Sequence, residues 1–337
     1  EGHADIARSM IDTALKIDGS NAASWVLLGE MERADGNLEA AVEAYTSALQ
    51  HDPANVDALF NRASLFVLTG KRDEASSDIM KLKQLPGGVS ASQFVEAWQH
   101  YLAGRTDQAL DLVQQVVAAR PSYLPAKLLL ALTQYDKKAY EQAIQALTEY
   151  LQAVPGSLDA KKLLASAYIQ TNQPERALGV LRPLVNSGQA DAQVLTLAGK
   201  AYLRAEDPSS AEQAFEAATE LVPTSSALHT DLGLSRLAAG READAVGALQ
   251  ASSGLDSKDY QADLTLAYYY MSKEQFDEAL AAIAVLESKL PDAAGVYNLR
   301  GVAYAGKKDL AAARSNFERA LQLNPTLTSA AVRLAAL

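Results

Sequence analysis

The chain contains no cysteine, which removes disulfides, thiolate metal sites and cysteine nucleophiles from consideration and leaves either redox compartment open. Histidine is scarce: His3, His51, His100 and His229 lie in distant segments. No HExxH pair, glycine-rich phosphate loop or GxSxG elbow occurs. Basic residues are outnumbered, 30 Lys and Arg against 41 Asp and Glu, and form no block. A net charge of −11 without clustered cations excludes a phosphate-backbone partner. Long apolar runs are missing too; the longest, Ala279 to Leu286, is far too short to cross a bilayer. Aromatics make up only 7% of the residues. The chain opens on Glu1 with no signal-peptide pattern, so we expect a fragment of a longer protein.

What is present is helical periodicity. The stretch from Ala294 to Leu327 reads AGVYNLRGVAYAGKKDLAAARSNFERALQLNPTL. Tyr297, Gly301 and Tyr304, then Ala313, Phe317 and Ala320, stand three and four apart, so each set shares one helix face. Small Gly301 and Ala313 let two helices cross closely while Tyr297, Tyr304 and Phe317 fill the space around them. Pro325 cannot continue a helix and closes the unit.

The same unit recurs at Ala22, Val56, Ser90, Leu124, Leu158, Ala192, Ser226, Tyr260 and Ala294, always 34 residues apart. Its twentieth place is alanine in all nine units, from Ala41 to Ala313. Place eight is always Gly or Ala, and place twenty-four is always large and apolar, as in Tyr45, Leu181 and Phe317. Ala7, Ile11 and Ala14 fit the second half of an earlier unit, and Thr328 to Leu337 begins another. The frame predicts one all-α array over residues 1–337: a half repeat at 1–21, nine full repeats, and a partial repeat at 328–337.

Turn residues agree with that frame. Gly36, Gly70, Gly104 and Gly240 suit left-handed helix ends, and Asp207-Pro208 reads as an N-cap followed by first-turn proline. Two units depart from it. Pro183 falls inside the fifth second helix, and Asn186-Ser187-Gly188 replaces the closing proline. In the seventh, Ser252-Ser253-Gly254 is expected to thin out the helix end, and Ser257 stands in the proline place. Glu212, beside Ala211, is expected to be exposed, and Trp25 to be buried.

On these columns the whole chain resembles the tetratricopeptide repeat, a 34-residue helix–turn–helix. The resemblance implies a right-handed superhelix, an α-solenoid, whose first helices line a concave groove, and with it a non-enzymatic protein- or peptide-binding scaffold. The fold class itself names no partner. The family's carboxylate clamp, which needs asparagines, is not matched: the corresponding places hold Lys162, Ser166, Thr196 and Lys200.

Places five, nine and twelve of the first helices should face the groove. They supply Phe60, Phe94, Trp98, Tyr101, Leu132 and Tyr135, then Lys162 and Lys200, then Tyr268. The aromatics form either a binding strip or a core buried between neighbouring first helices. Stacking on Trp98, Tyr101 and Tyr135 would also suit a polysaccharide, and a third function class is a targeting arm for an enzyme elsewhere in a longer chain. No catalytic constellation, cofactor site or metal site is expected. Glu96 and His100, four apart, fit an ordinary helix-surface pair better than a metal or proton-transfer pair.

The C-terminal stretch carries a narrower resemblance, to the repeat lipoproteins of bacterial exosortase, or PEP-CTERM, systems. Tyr297-Asn298-Leu299, Gly301, Ala311 to Arg314, Phe317, Ala320-Leu321 and Pro325 match that family's pattern. It implies an extracytoplasmic scaffold, periplasmic or associated with the outer membrane, serving exopolysaccharide export or protein sorting, with a lipid-attachment cysteine upstream.

Overall fold

A computed structural model describes residues 2–188, 190–256 and 258–337, with side chains from residue 5 onward. Glu1, Gln189, Ser257 and the side chain of His3 lie outside the described residues. Among the described residues there are twenty α-helices and no strand. The first helices of the nine repeats are α2 (Ala22–Ala34), α4 (Val56–Leu68), α6 (Val89–Leu102), α8 (Leu124–Asp136), α10 (Leu158–Gln170), α12 (Ala192–Arg204), α14 (Ser226–Ala238), α16 (Gln261–Ser272) and α18 (Ala294–Gly306). Their partners are α3 (Leu38–His51), α5 (Arg72–Gln84), α7 (Thr106–Ala119), α9 (Tyr140–Ala153), α11 (Pro174–Asn186), α13 (Pro208–Leu221), α15 (Glu242–Leu255), α17 (Phe276–Lys289) and α19 (Leu310–Leu323). Flanking them are α1 (Gly2–Ile17) and α20 (Thr328–Ala335). Every first helix begins within one residue of the start that the 34-residue frame assigns.

The chain divides into two compact units, Glu1–Ala167 and Tyr168–Leu337. In the first, α1 packs on α2, and the hairpins α2–α3, α4–α5, α6–α7 and α8–α9 stack in chain order. Within that unit α4 also touches α6 directly, so neighbouring first helices share a face. In the second unit α11 packs on α12, four further hairpins follow, and α20 closes on α19.

Each hairpin is held by the close crossing that the small columns predict. All nine alanines of place twenty have no exposed surface. Place eight meets place twenty-four, and in six of the hairpins their sizes are matched, whereas Gly233 faces aliphatic Leu249, 2.6 Å from where a Cβ would stand. An ideal Cβ on Gly29 would lie 2.5 Å from the Tyr45 ring, on Gly199 2.7 Å from Phe215, and on Gly301 2.5 Å from Phe317. Where place eight is Ala63, Ala97 or Ala267, the same core cluster holds aliphatic Ile79, Val113 or Ile283 instead. A methyl group and an aromatic ring cannot share that space.

Place fifteen ends each first helix in the left-handed region. Gly36, Gly70, Gly104 and Gly240 adopt φ between 71° and 82° as expected. Lys138, Asn172, Glu206, Glu274 and Lys308 adopt φ of 55° to 65° at the same place. There a Cβ costs about 1 kcal/mol, which the backbone bonds closing the turn offset; Asp207 N, for example, donates to Tyr202 O at 2.9 Å.

Several local expectations need correction. Glu212 is not exposed: it retains 2% of its surface, accepts from Arg236 Nε at 2.9 Å and also pairs with Arg241. Trp25 is half-buried, its indole donating to Gly19 O at 2.9 Å. The seventh second helix does not thin out; α15 runs through Ser252, Ser253 and Gly254 to Leu255. Ser252 is buried, donates to Ser226 O at 2.9 Å and pairs with Thr230 at 2.8 Å. Ser253 bonds Asp263. Lys289 fastens that joint, with its Nζ 2.7 Å from Asp263 and within 2.8–3.1 Å of three backbone carbonyls at Ser253, Asp256 and Asp259.

Pro183 lies inside α11, as the sequence places it, on its exposed side. The carbonyl that loses its donor belongs to Gly179, itself exposed, so water can satisfy it.

Candidate functional site

The first-helix face of the unit ending at Ala167 contains a cleft of about 600 Å³. Place five of α4 and α6 contributes Phe60 and Phe94, with ring centroids 6.1 Å apart. One turn on, place nine of α6 contributes Trp98, and α8 adds Leu128. The spacing that sets these side chains on one helix face also sets the polar groups of the rim: Arg33 of α2, and Asn61 and Ser64 of α4. Lining is therefore mainly apolar, with a few hydrogen-bonding groups, which is the usual make-up of a recognition pocket.

The strip residues of the cleft are neither fully buried nor fully exposed. Phe60, Phe94 and Trp98 pack against the buried residues Ala63, Ile79 and Val95, yet each keeps a partly exposed face toward the cleft. The hairpin core itself is filled by other residues, the alanine column and place twenty-four.

Other residues singled out by sequence do not join this cleft. Tyr101 stacks beside Trp98, with centroids 5.9 Å apart, but packs inward; burial pushes its hydroxyl up to about 12, and Asp136 adds to the rise. Tyr135 is half-buried, with its hydroxyl 2.6 Å from Ser166 Oγ and its ring edge-on to Tyr140 at 5.2 Å. Leu132 is half-buried outside the cleft lining. Lys162 is buried, with 8% of its surface exposed.

In the unit from Tyr168 onward, Lys200 is exposed in a shallow depression with Thr196 and sits 3.4 Å from Asp231. Burial raises the Asp231 carboxyl above its ordinary value, and the Lys200 ammonium opposes that rise. Tyr268 is the most exposed aromatic of the strip, at 55%. It borders a separate depression in which Tyr269 donates to Glu242 at 3.1 Å. Glu96 and His100 each have another hydrogen-bond partner, and the Glu96 charge only partly opposes the lowering of the His100 pKa. Glu96 bonds Lys83 at 2.7 Å, while His100 Nδ1 accepts from Arg105 at 2.7 Å and its pKa is lowered, first by burial and then by that guanidinium.

Sequence reasoning missed Tyr123. It precedes α8, stands in no groove place of the repeat, and yet meets Phe94 edge-on at 5.2 Å and lines the cleft. Its position in the turn before a first helix, with an aromatic at place five of the preceding unit, is the signal that could have found it.

Among the described residues no helix is long and apolar enough to cross a membrane. Family profiles described as tetratricopeptide repeat match residues 94–157, 196–260 and 264–327, and another matches 134–201. A profile described as TPR repeat matches 29–70. Human general transcription factor 3C polypeptide 3 is 26% identical over 136 residues, 37% of this chain and 15% of that protein. Human DnaJ homolog subfamily C member 3 is 30% identical over 95 residues, 28% of this chain and 19% of that protein. The chain thus spans less than a fifth of the length of these curated relatives. A solved structure titled for PilF of Pseudomonas aeruginosa shares the fold at 18% identity and a TM-score of 0.52, covering 60% of this chain and 92% of that one. A repeat protein of the same description from Parabacteroides merdae aligns with 20% identity and a TM-score of 0.45, over 69% of this chain and 93% of that one.

Proposed function

This chain belongs to the tetratricopeptide repeat family, and from that premise we propose that it is a non-enzymatic scaffold that holds a protein partner through the Phe60–Phe94–Trp98 cleft. The observation that carries the reading is the half-exposed state of these three side chains. All three anchor on the core and together present a contiguous apolar face to a ligand. Large rigid aromatics set in an apolar pocket are the commonest hot spots of protein recognition. We read residues 1–337 as one array, because the 34-residue spacing continues without insertion through Ala167 and Tyr168.

The C-terminal pattern around Tyr297-Asn298-Leu299 and Ala311 to Arg314 supports placing this scaffold in a bacterial envelope assembly concerned with exopolysaccharide export or protein sorting. Fractionation of the host cell that puts the chain in the cytoplasm would remove that part of the proposal and leave the scaffold intact.

Trp98 tests the cleft. In Trp25→Phe protein it is the sole tryptophan, and its emission should be red-shifted and open to acrylamide. Peptides selected from a randomised display library should shift that emission. Trp98→Ala should weaken them about 30-fold, the equivalent of about 2 kcal/mol. Because the ring also rests on core residues, the change should lower the urea midpoint as well, so affinity is read under conditions where the variant is folded. Blue-shifted, unquenchable emission together with unchanged peptide affinity in folded Trp98→Ala would refute the reading. Selection of oligosaccharides in place of peptides would replace the partner class.

A further inference from the structure

The cleft has a neighbour. A second cavity of about 230 Å³ adjoins it, and Phe60 and Tyr123 line both, so these two rings are a shared wall. Tyr123 is held firmly in that role. Its N–H donates to Arg120 O at 3.0 Å, its carbonyl accepts from Ala126 and Lys127 N–H groups at 3.2 Å, and its ring rests edge-on against Phe94. Its hydroxyl has no hydrogen bond among the described residues.

The two cavities differ in size and chemistry. Sites for whole ligands usually span about 300–1,000 Å³; the cleft falls inside that range, and the smaller cavity falls below it and suits a single side chain. The cleft is apolar, whereas the smaller cavity offers Asp57, Ser90 and Arg120. Neither Asp57 nor Arg120 enters an ion pair among the described residues. Their charges cancel, so a charged side chain entering there would face a like charge, while a neutral one can donate to the carboxylate and accept from the guanidinium.

We propose that Tyr123 determines the specificity of this site: the bound peptide carries a bulky apolar residue for the cleft and, two positions away, Ser, Thr, Asn or Gln for the smaller cavity. The proposal rests on the peptide-binding reading above. An extended peptide places alternate side chains on one face about 6–7 Å apart, so the residue two positions from the anchor can reach past the shared wall of Phe60 and Tyr123. The wall also explains the size limit, because a second bulky residue could enter the smaller cavity only by displacing Tyr123 from Phe94.

The test is selection of a randomised peptide display library against the full chain, with Tyr123→Ala, Arg120→Ala and Trp98→Ala proteins as parallel baits. The unaltered chain should enrich Trp, Phe or Leu with a neutral hydrogen-bonding residue two positions away. A synthetic copy of the leading peptide should lose roughly tenfold in affinity when that residue is replaced by Leu. Tyr123→Ala should erase the tenfold gap and accept bulky residues at the second position. Arg120 is exposed, so Arg120→Ala keeps the fold and should lose the polar preference, which decides the matter if Tyr123→Ala fails to fold. Enrichment of apolar anchors with bulky, acidic or basic residues beside them in the unaltered chain would overturn the proposal and leave the cleft's function standing. No enrichment over Trp98→Ala would overturn both.

Discussion

The size match between places eight and twenty-four makes a quantitative prediction at Gly199. A Cβ added there would stand 2.7 Å from two ring carbons of Phe215 and 2.8 Å from a third. Ordinary carbon contacts begin near 3.5 Å, so the ring would have to retreat by roughly 0.8 Å. Phe215 has no exposed surface, and Ala211 and Leu232 belong to its cluster, so the ring has nowhere to go without disturbing a second contact. Overpacking of this kind costs about 1–3 kcal/mol. Removing a glycine from mid-helix returns about 0.8–1 kcal/mol, which leaves Gly199→Ala destabilised by about 0–2 kcal/mol. Phe215→Leu alone opens a void under Gly199 and should cost about 1–2 kcal/mol. Together the two changes recreate the pairing of Ala131 with Leu147. The double variant should therefore lie within about 1 kcal/mol of the unaltered chain, a coupling of about 1–3 kcal/mol between the sites. Urea titration followed by circular dichroism reads the sum, and amide exchange in α12 and α13 reads it locally, which matters because repeat arrays need not unfold in one step. Simple additivity to within about 0.5 kcal/mol would show that the two places do not share a space.

Ala211→Leu should cost about 1–3 kcal/mol by overpacking, and Glu212→Leu a similar amount by stripping a partner from Arg236 and Arg241; equality of Glu212→Leu with the unaltered chain in urea would contradict the burial of that carboxylate. Lys289→Met should cost about 3 kcal/mol by stranding buried Asp263, and Lys289→Met with Asp263→Leu should recover most of it; no recovery would mean the carbonyl contacts, not the ion pair, hold the joint. Asp231 has its pKa raised by burial, so the folded state binds that proton more tightly than the unfolded one, and its contribution to stability is present below the unfolded pKa and lost as pH rises through the folded one. Asp231→Asn should accordingly raise the urea midpoint near pH 8 and gain progressively less toward about pH 4; a gain that grows on acidification would refute the assignment. Amide exchange should be faster across Arg182 to Gly188, around Pro183, than across Gln114 to Arg120; equal protection would show that Gly179 and water compensate fully for the lost bond.

The helical frame was legible because its signals are local and repeated. A proline, an alanine or a glycine at a fixed place means the same thing in each unit, so Ala41 to Ala313 could be assigned to helix crossings from spacing alone. Place fifteen was legible only where it is glycine; Lys138, Glu206 and Lys308 adopt the same left-handed turn because the hairpin imposes it, against their own preference. Glu212 and Asp263 were misjudged or missed for a different reason. A carboxylate reads as solvated unless its partner is known, and Arg236 and Lys289 lie more than twenty residues away in sequence. The site was legible to the level of a face. Phe60, Phe94 and Trp98 gather as their places predict, whereas Tyr101 and Tyr135, at place twelve, turn toward Asp136 and Ser166. Tyr123 belongs to a turn, where helical periodicity has nothing to say.

The matched pair inside each hairpin also limits how such a chain can be recombined. Repeats with Gly29, Gly199 or Gly301 carry an aromatic in their second helix, repeats with Ala63, Ala97 or Ala267 carry an aliphatic one, and the repeat with Gly233 sets a leucine close against the glycine, so three kinds of pairing exist and the first two make clear interchange classes. A crossover inside a hairpin, joining the first helix of one class to the second helix of the other, produces either a clash or a hole. A crossover in the turn between hairpins keeps each pair intact. Chimeras cut near Pro121 or Pro223 should therefore fold, while those cut between places eight and twenty-four should fold only within a class. The turn spanned by Lys289 is an exception, since its four oxygen partners come from the repeat before and the helix after it, and a cut there separates the ammonium from its cradle.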